Sequence, residues 1–540
     1  MLFHLTLAAA VLASPGNALQ QAHHPGGHEK LGTVKFSTSC TEAAQPAFLR
    51  GMALLHSFEF GAAIESFNAA AAADPSCGIA HWGVALSRWG NPFAAGLKPP
   101  PVLQAGRAAI EKGKAAGAKT DRERAFIDAA GQLFADFEKK DQRTRVLAYR
   151  DAMQQVAASN PKDPEASAFY ALALASSQDP ADMTYSSLLA AGKILEQLAP
   201  TQPDHPGFVH YIIHSYDAPP LASRALDAAR RYAKIAPDAP HALHMPSHTF
   251  TRLGYWQDSI ESNTASAEAA RRVKVPGEEL HAMDYQTYAY LQLARDASTK
   301  KVVDAVGDVR ARLTAPGAVA GAAPPLGAAF ASAAIPARYA LERGAWAEAA
   351  RLEPSPSTFP QADAITWFAK AIGAARMEPK DLAGARTATT NLEQLQATLA
   401  GAKENYWAEV VRIQHLGASA WLAFADGRKD EALSLMRDAA DREDKIEKNA
   451  VTPGPIAPAR EQLGEMLLAT KQPADALTAF ETTLKKEPNR YRALAGAAEA
   501  ARATNNKTAM RKYAQALMAI AAKADGPARP ELSAAKEALK

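Results

Sequence analysis

A spacing of small and bulky residues recurs near both ends of this sequence. Gly51 is followed by alanine at 63, phenylalanine at 67, alanine at 70 and proline at 75. The same spacing recurs near the C-terminus, at Gly464, Ala476, Phe480 and Pro488. Small residues let two antiparallel helices touch, the phenylalanine fills the gap between them, and the proline ends the second helix. The pattern therefore predicts stacked helix pairs.

The two segments, 44–77 and 457–490, each span 34 residues and resemble tetratricopeptide repeats. Ala47 stands where that family usually has tryptophan. A third segment, Ile413 to Asp444, matches at Gly427, Ala432 and Ala439. The resemblance, to the exported bacterial type, implies an all-α fold, a right-handed α-solenoid of tetratricopeptide-like helix pairs. It also implies a concave groove that binds a protein or peptide partner.

Composition supports a helical, globular chain. Apolar residues make up 48% of the 540 residues and charged residues 22%, and the abundance of alanine favours helix. The 60 basic and 57 acidic residues nearly balance. This balance gives no reason to expect a nucleic-acid partner. No stretch after the N-terminus is long and apolar enough to predict a membrane span.

The first 18 residues are typical of a secretory signal peptide. An apolar run from Leu5 to Ala13 precedes the small residues Gly16 and Ala18. The alternative is a buried N-terminal helix, because no lysine or arginine precedes the run. We expect a periplasmic or secreted protein.

The rest of the chain divides into four predicted regions. These are a flexible, histidine-containing lead-in at 19–40, an N-terminal repeat array with a histidine cluster at 41–313, an Ala/Pro/Gly-rich linker at 314–336, and a C-terminal array with a capping helix at 337–540.

Cys40 and Cys77 are the two cysteines of the chain. In an oxidising compartment an isolated pair predicts one disulfide. Two unrelated buried thiols are the alternative.

Histidines cluster in the middle of the chain with a helical spacing. His210 and His214 are four residues apart, as are His244 and His248, so each pair lies on one helical face. The two pairs are offset by 34 residues, one repeat length, and should face the concave groove from neighbouring helices. Pro246 lies inside the second helix and predicts a kink there.

These four histidines are the predicted metal ligands, and His205 and His241 are additional candidates. The imidazole donors favour a transition metal, with copper or zinc as the main candidates. The two sets 205/210/214 and 241/244/248 resemble the paired-copper sites of hemocyanins and tyrosinases. Groove histidines that only form hydrogen bonds, and histidines duplicated with the repeat, are the alternatives.

Two functions remain open from the sequence. The first is an exported scaffold that holds a protein or peptide in its groove, with a histidine-rich metal site on the concave face. The second is a metal-dependent enzyme or a metal carrier that uses the histidine cluster 205–248. The sequence does not decide whether the protein catalyses a reaction.

Overall fold

The computed structural model describes residues 29–94, 96–179, 182–319 and 321–540. The predicted signal peptide and the lead-in histidines His23, His24 and His28 lie outside these ranges. Within the described ranges the regular structure is helical, with no residue in a strand. The chain is an α-solenoid of tetratricopeptide-like helix pairs, as the repeat spacing predicted.

Helices of the first part of the chain stack in sequence order. They are α1 (Gln45–His56), α2 (Phe60–Ala73), α3 (Gly78–Trp89), α4 (Pro100–Ala116), α5 (Asp121–Gly131), α6 (Gln142–Ser159), α7 (Pro164–Ser176), α8 (Ser186–Leu198), α9 (Pro206–Ser215), α10 (Leu226–Ile235), α11 (Pro240–His244), α12 (Pro246–Arg252), α13 (Trp256–Arg272), α14 (Pro276–Gln292) and α15 (Asp296–Arg312). Two short 3₁₀ turns accompany them, Glu42–Ala44 and Ala222–Ala225.

The second part continues the same stacking. Its helices are α16 (Pro325–Glu342), α17 (Trp346–Ala350), α18 (Pro360–Arg376), α19 (Leu382–Gly401), α20 (Asn405–Ala425), α21 (Lys429–Glu443), α22 (Ala459–Ala469), α23 (Pro473–Lys486), α24 (Tyr491–Ala503), α25 (Lys507–Ile520) and α26 (Pro530–Ala538). None of the described helices is long and apolar enough to cross a membrane.

The phenylalanine and the glycines of the repeat motif pack together as their sizes predict. Phe67 is fully buried, and a Cβ added at Gly51 or Gly83 would lie only 2.9 or 2.6 Å from its ring. Phe480 is enclosed in the same way by Gly464 and Gly496. The ring of the second helix therefore packs against bare backbone of the helices before and after it. Larger residues at these glycines would push the helices apart.

Proline starts many of these helices. It occupies the first turn of α7, α9, α11, α14 and α23, among others. The first amides of a helix have no partner within it, so the missing N–H of proline costs nothing there. A proline further inside is different. The helix that carries the second histidine pair is interrupted at Pro246, where α11 ends and α12 begins.

Cys40 and Cys77 form a disulfide, with Cα atoms 4.9 Å apart.

The predicted linker 314–336 is irregular only in its first part, because α16 begins at Pro325. Leu280 of α14 and Ala328 of α16 belong to one apolar cluster. The second half of the predicted linker is thus part of the packed solenoid.

The two parts of the chain also touch far from this junction. The loop at 445–458, between α21 and α22, reaches back to α14 and α16. Arg338 donates to the Thr452 hydroxyl and to the backbone carbonyls of Gly454 and Pro455. The Tyr285 hydroxyl lies 3.0 Å from the Ala450 carbonyl oxygen. These contacts fix the 445–458 loop against α14 and α16.

Candidate metal centre

Six histidines meet in the interior of the molecule. His210 and His214 project from α9, His241 and His244 from α11, His248 from α12, and His281 from α14. None is more than 6% exposed. The predicted groove-facing positions are buried because three segments cover them, contributing Phe93, Ala322 and Asn449–Val451. An open peptide groove does not exist at this place.

The histidines form two triads. Triad A consists of His210, His214 and His241, and triad B of His244, His248 and His281. Each ring offers one nitrogen as a ligand atom. In each triad these three nitrogens all lie within 4.8 Å of one another. Both triads are therefore close enough to hold a metal ion.

The two triads are neighbours. The ring centroids of His214 and His248 are 6.2 Å apart, and those of His241 and His244 are 6.0 Å apart. Each of these pairs joins one member of triad A to one of triad B. The arrangement places two three-imidazole sites side by side.

This grouping differs from the predicted one. The four predicted ligands are all present but are divided between the triads, two in each. His241 completes triad A. His281, which was not among the predicted ligands, completes triad B. His281 follows His248 by 33 residues, close to one more repeat, and this near-repeat was the available signal for it.

Hydrogen bonds fix the tautomer of three of the rings. His210 Nδ1 lies 2.6 Å from the His56 carbonyl oxygen, and His244 Nδ1 lies 2.7 Å from Asn263 Oδ1. His248 Nδ1 lies 2.9 Å from Asp217 Oδ2. Each partner is an acceptor, so Nδ1 carries the proton and donates it. In the neutral ring Nε2 is then left with a free lone pair.

The Nε2 atoms of His244 and His248 are only 3.1 Å apart. Because both nitrogens lack a proton, no hydrogen bond can join them, and their lone pairs face each other. Two nitrogens that bind one tetrahedral metal ion at 2.0–2.1 Å lie about 3.3–3.4 Å apart. The observed separation is close to this value, and a cation between the rings would turn a repulsive contact into a favourable one.

Triad A has buried nitrogens without a partner as well. The Nε2 atoms of His210, His214 and His241 have no hydrogen-bond partner among the described residues. Buried polar atoms are normally satisfied, so three such atoms in one cluster require an explanation. A shared metal ion would supply it.

Five of the six imidazoles are neutral at ordinary pH. Burial holds the pKa of His210, His214 and His244 well below the usual value. Burial lowers the pKa of His248 to about 4 and that of His281 to about 3. Since metal binds the neutral ring, these sites need not lose a proton before loading.

Carboxylates surround the triads without belonging to them. Asp217 binds His248 and is also paired with Arg252, whose Nε lies 2.8 Å from Asp217 Oδ1. Glu278 Oε2 lies 3.6 Å from His241 Nδ1. Such carboxylates hold the ligand rings in place and add negative charge near a bound cation.

His205, a predicted candidate ligand, lies elsewhere. Its Nε2 is 3.0 Å from Glu165 Oε1, and the other oxygen of Glu165 is 3.0 Å from His56 Nε2. His56 Nδ1 is bonded in turn to the Tyr211 hydroxyl at 2.9 Å. Although burial opposes it, the neighbouring His56 and His205 lower the pKa of Glu165 to about 2. This group could also hold a metal by distance, but its facing nitrogens are already bonded. We interpret it as the support of His56, whose carbonyl orients His210.

A small cavity reaches both triads from one side. Its empty space is about 450 Å³, and its wall includes His214 and His241 of triad A and His248 and His281 of triad B. Phe93 forms another part of the wall and stacks on His214 with ring centroids 4.0 Å apart. A small molecule in this cavity would contact both sites.

Comparison with known proteins gives similarity of fold at low scores. No protein-family model matches the chain, and no curated protein matches it significantly in sequence. Among solved structures, the human IFIT1 dimer with m7Gppp-AAAA is 11% identical, with 83% of this chain and 90% of that chain covered and a TM-score of 0.38. The human IFIT1 dimer with PPP-AAAA is 10% identical, with 90% and 96% covered and a TM-score of 0.38. Similarity at this level bears on neither ligand nor function.

Proposed function

We propose that the protein is a metal-dependent enzyme with a pair of copper ions, one in each histidine triad. The observation that carries the proposal is the contact between the unprotonated Nε2 atoms of His244 and His248, 3.1 Å apart in a site closed to solvent. A site that held no cation would gain by turning one ring away or by protonating it. Burial opposes protonation of both rings.

The donor set favours copper. Each triad offers three imidazoles, and neither includes a thiolate or a carboxylate. Imidazole suits copper, zinc, iron and nickel, and divalent copper binds such a site most tightly. Zinc is the competing ion.

The geometry favours catalysis over storage. Three protein ligands leave a coordination position open, as in catalytic metal sites, whereas structural sites are closed by four. Both triads border the same small cavity, so a small molecule could contact both ions. A copper pair, when bound, would supply one-electron redox chemistry. The protein's own residues would orient the ligands and keep bulk water out.

The repeat scaffold contributes rigidity. The ligands project from packed helices, and their partners Asp217, Asn263 and His56 come from other segments. A scaffold that binds a peptide at this face would need exposed side chains, and these histidines are buried. We therefore favour the metal enzyme over the peptide-binding scaffold.

Metal titration of the full chain tests the proposal. The histidines of the lead-in are replaced first (His23→Ala, His24→Ala and His28→Ala), so that they cannot bind metal. The protein is then loaded with copper or zinc, and tightly bound metal is measured by mass spectrometry. We expect two ions per chain. His241→Ala and His281→Ala should each retain one ion, because each removes a ligand from a different triad.

His415→Ala provides the matched control, since this half-buried histidine lies on α20, away from both triads. It should retain two ions. Binding of no metal by the parent protein, or equal metal content in all three variants, would rule out the paired site.

A further inference from the structure

A second and larger cavity lies outside the histidine centre. It contains about 1020 Å³ of empty space, a figure that includes its open mouth. The 445–458 loop forms one side, and α20 forms the other. Residues 452–457 of this loop face the large cavity, while 449–451 face the small one at the histidines. The two spaces are therefore separate.

Aromatic and aliphatic side chains dominate the wall of this cavity. They are Trp256, Tyr288, Phe330, Phe368, Tyr406, Trp407, Val410, Ile413 and Ile446. Flat aromatic faces bind apolar ligands, and rings best of all. The wall thus suits a molecule with a mainly apolar, ring-containing body.

The charges on the wall are balanced. Three basic side chains line the cavity, Arg252, Lys448 and Lys486, and so do three acidic ones, Glu443, Glu447 and Glu487. Several are already engaged with each other or with backbone. Arg252 pairs with Glu447 at 3.3 Å, and Lys486 donates to two backbone carbonyls. A charged ligand would therefore find no unbalanced counter-charge, and an uncharged one is favoured.

Among the uncharged groups of this wall, one buried donor and one buried acceptor have no hydrogen-bond partner in the described residues. Trp407 Nε1 and Gln414 Oε1 are buried and form no hydrogen bond within the part of the chain that the structure describes. Trp407 is only 2% exposed, and Gln414 is 9% exposed. Both belong to α20, seven residues apart, so they lie on one face about 10 Å from each other. Buried indole and amide groups normally have partners, and a ligand can provide them.

We propose that this cavity binds an uncharged, mainly apolar organic molecule that carries both a hydrogen-bond acceptor and a donor. The acceptor of the ligand takes the Trp407 N–H, and its donor gives to Gln414 Oε1. The site is distinct from the metal centre, because none of the six triad histidines lines it.

The uncharged naphthalene ketone prodan tests the apolar wall and the contact with Trp407, because its carbonyl accepts a hydrogen bond and its emission shifts to the blue in apolar surroundings. We expect saturable binding of one prodan per chain. Trp407→Phe keeps the ring and removes the N–H, so the dissociation constant should rise by about threefold to tenfold. Val410→Trp fills the cavity and should abolish binding.

Trp346→Phe is the matched control, since Trp346 does not line the cavity; its affinity for prodan should equal that of the wild type. The double variant His214→Ala/His248→Ala should also bind prodan normally, which separates this site from the metal centre. Absence of saturable binding, or unchanged affinity in both Trp407→Phe and Val410→Trp, would overturn the proposal. Circular dichroism of each variant verifies that the helices are intact.

Discussion

At the scale of single residues, the metal centre depends on partners distant in sequence. The four-residue spacing and the 34-residue offset predicted that His210, His214, His244 and His248 lie close together. The structure places them in two adjacent triads. The spacing and the offset did not sort them into triads, because the grouping depends on how α12 packs against α9 and α14 against α11. Nor could spacing identify Asp217 or Asn263 as the groups that fix the ligand rings, since a hydrogen-bond partner leaves no periodic signal.

Asp217 offers the sharpest test at this scale. Burial opposes its ionisation, but Lys448 and Arg252 hold the pKa of Asp217 well below its usual range. It is thus a carboxylate that accepts the His248 N–H. Asp217→Asn keeps the shape and removes the charge, so copper affinity at triad B should fall by about 10- to 100-fold. Competition with a chromophoric copper chelator measures the copper affinity of triad B.

Triad A should keep its affinity in this variant, because Asp217 bonds to none of its rings. The control is Asp258→Asn, a change at an exposed aspartate, which should leave both sites unaffected. Equal weakening of both triads by Asp217→Asn would contradict the assignment of Asp217 to triad B.

At the scale of helices, the sequence predicted the structure more accurately than at the scale of single residues. The Gly–Ala–Phe–Pro spacing predicted the pairs α1–α2 and α22–α23, and the structure shows glycine and phenylalanine in direct contact in both. Pro246 predicted the interruption between α11 and α12. The linker prediction was less accurate: residues 325–336 are rich in alanine and proline, yet they are helical because α14 and α15 provide an apolar surface for α16.

Two glycine substitutions test the packing of the repeat. A Cβ at Gly464 would lie 2.7 Å from Phe480 Cζ, and that ring has no room to move because Gly496 closes its other side. Gly464→Ala should therefore lower the stability by about 1–3 kcal/mol. Gly307→Ala is the matched control in α15, where a new Cβ meets nothing within 4 Å. It should raise the stability by about 0.5–1 kcal/mol.

Urea unfolding followed by circular dichroism measures both changes. The two variants should move the unfolding midpoint in opposite directions. If both raise it, the contact between Gly464 and Phe480 does not limit the packing of the repeat.

At the scale of the whole molecule, the decisive feature is the closure of the inner side of the solenoid. The repeat pattern predicted an open concave face, because it describes only neighbouring helix pairs. The 445–458 loop comes from more than 150 residues beyond the ligands and covers them through Tyr285 and Arg338. Such a long-range contact has no periodic signature. It changes an exposed histidine groove into a buried site with neutral rings.

Anomalous diffraction from crystals of the copper-loaded protein, recorded at the copper absorption edge, tests the central claim most directly. Two peaks are predicted. One should contact His210, His214 and His241, and the other His244, His248 and His281, with each ion about 2.0–2.1 Å from its nitrogens, as for zinc and imidazole. Copper bound only at other residues, or no anomalous peak at either triad in fully loaded protein, would contradict the assignment of a paired metal centre.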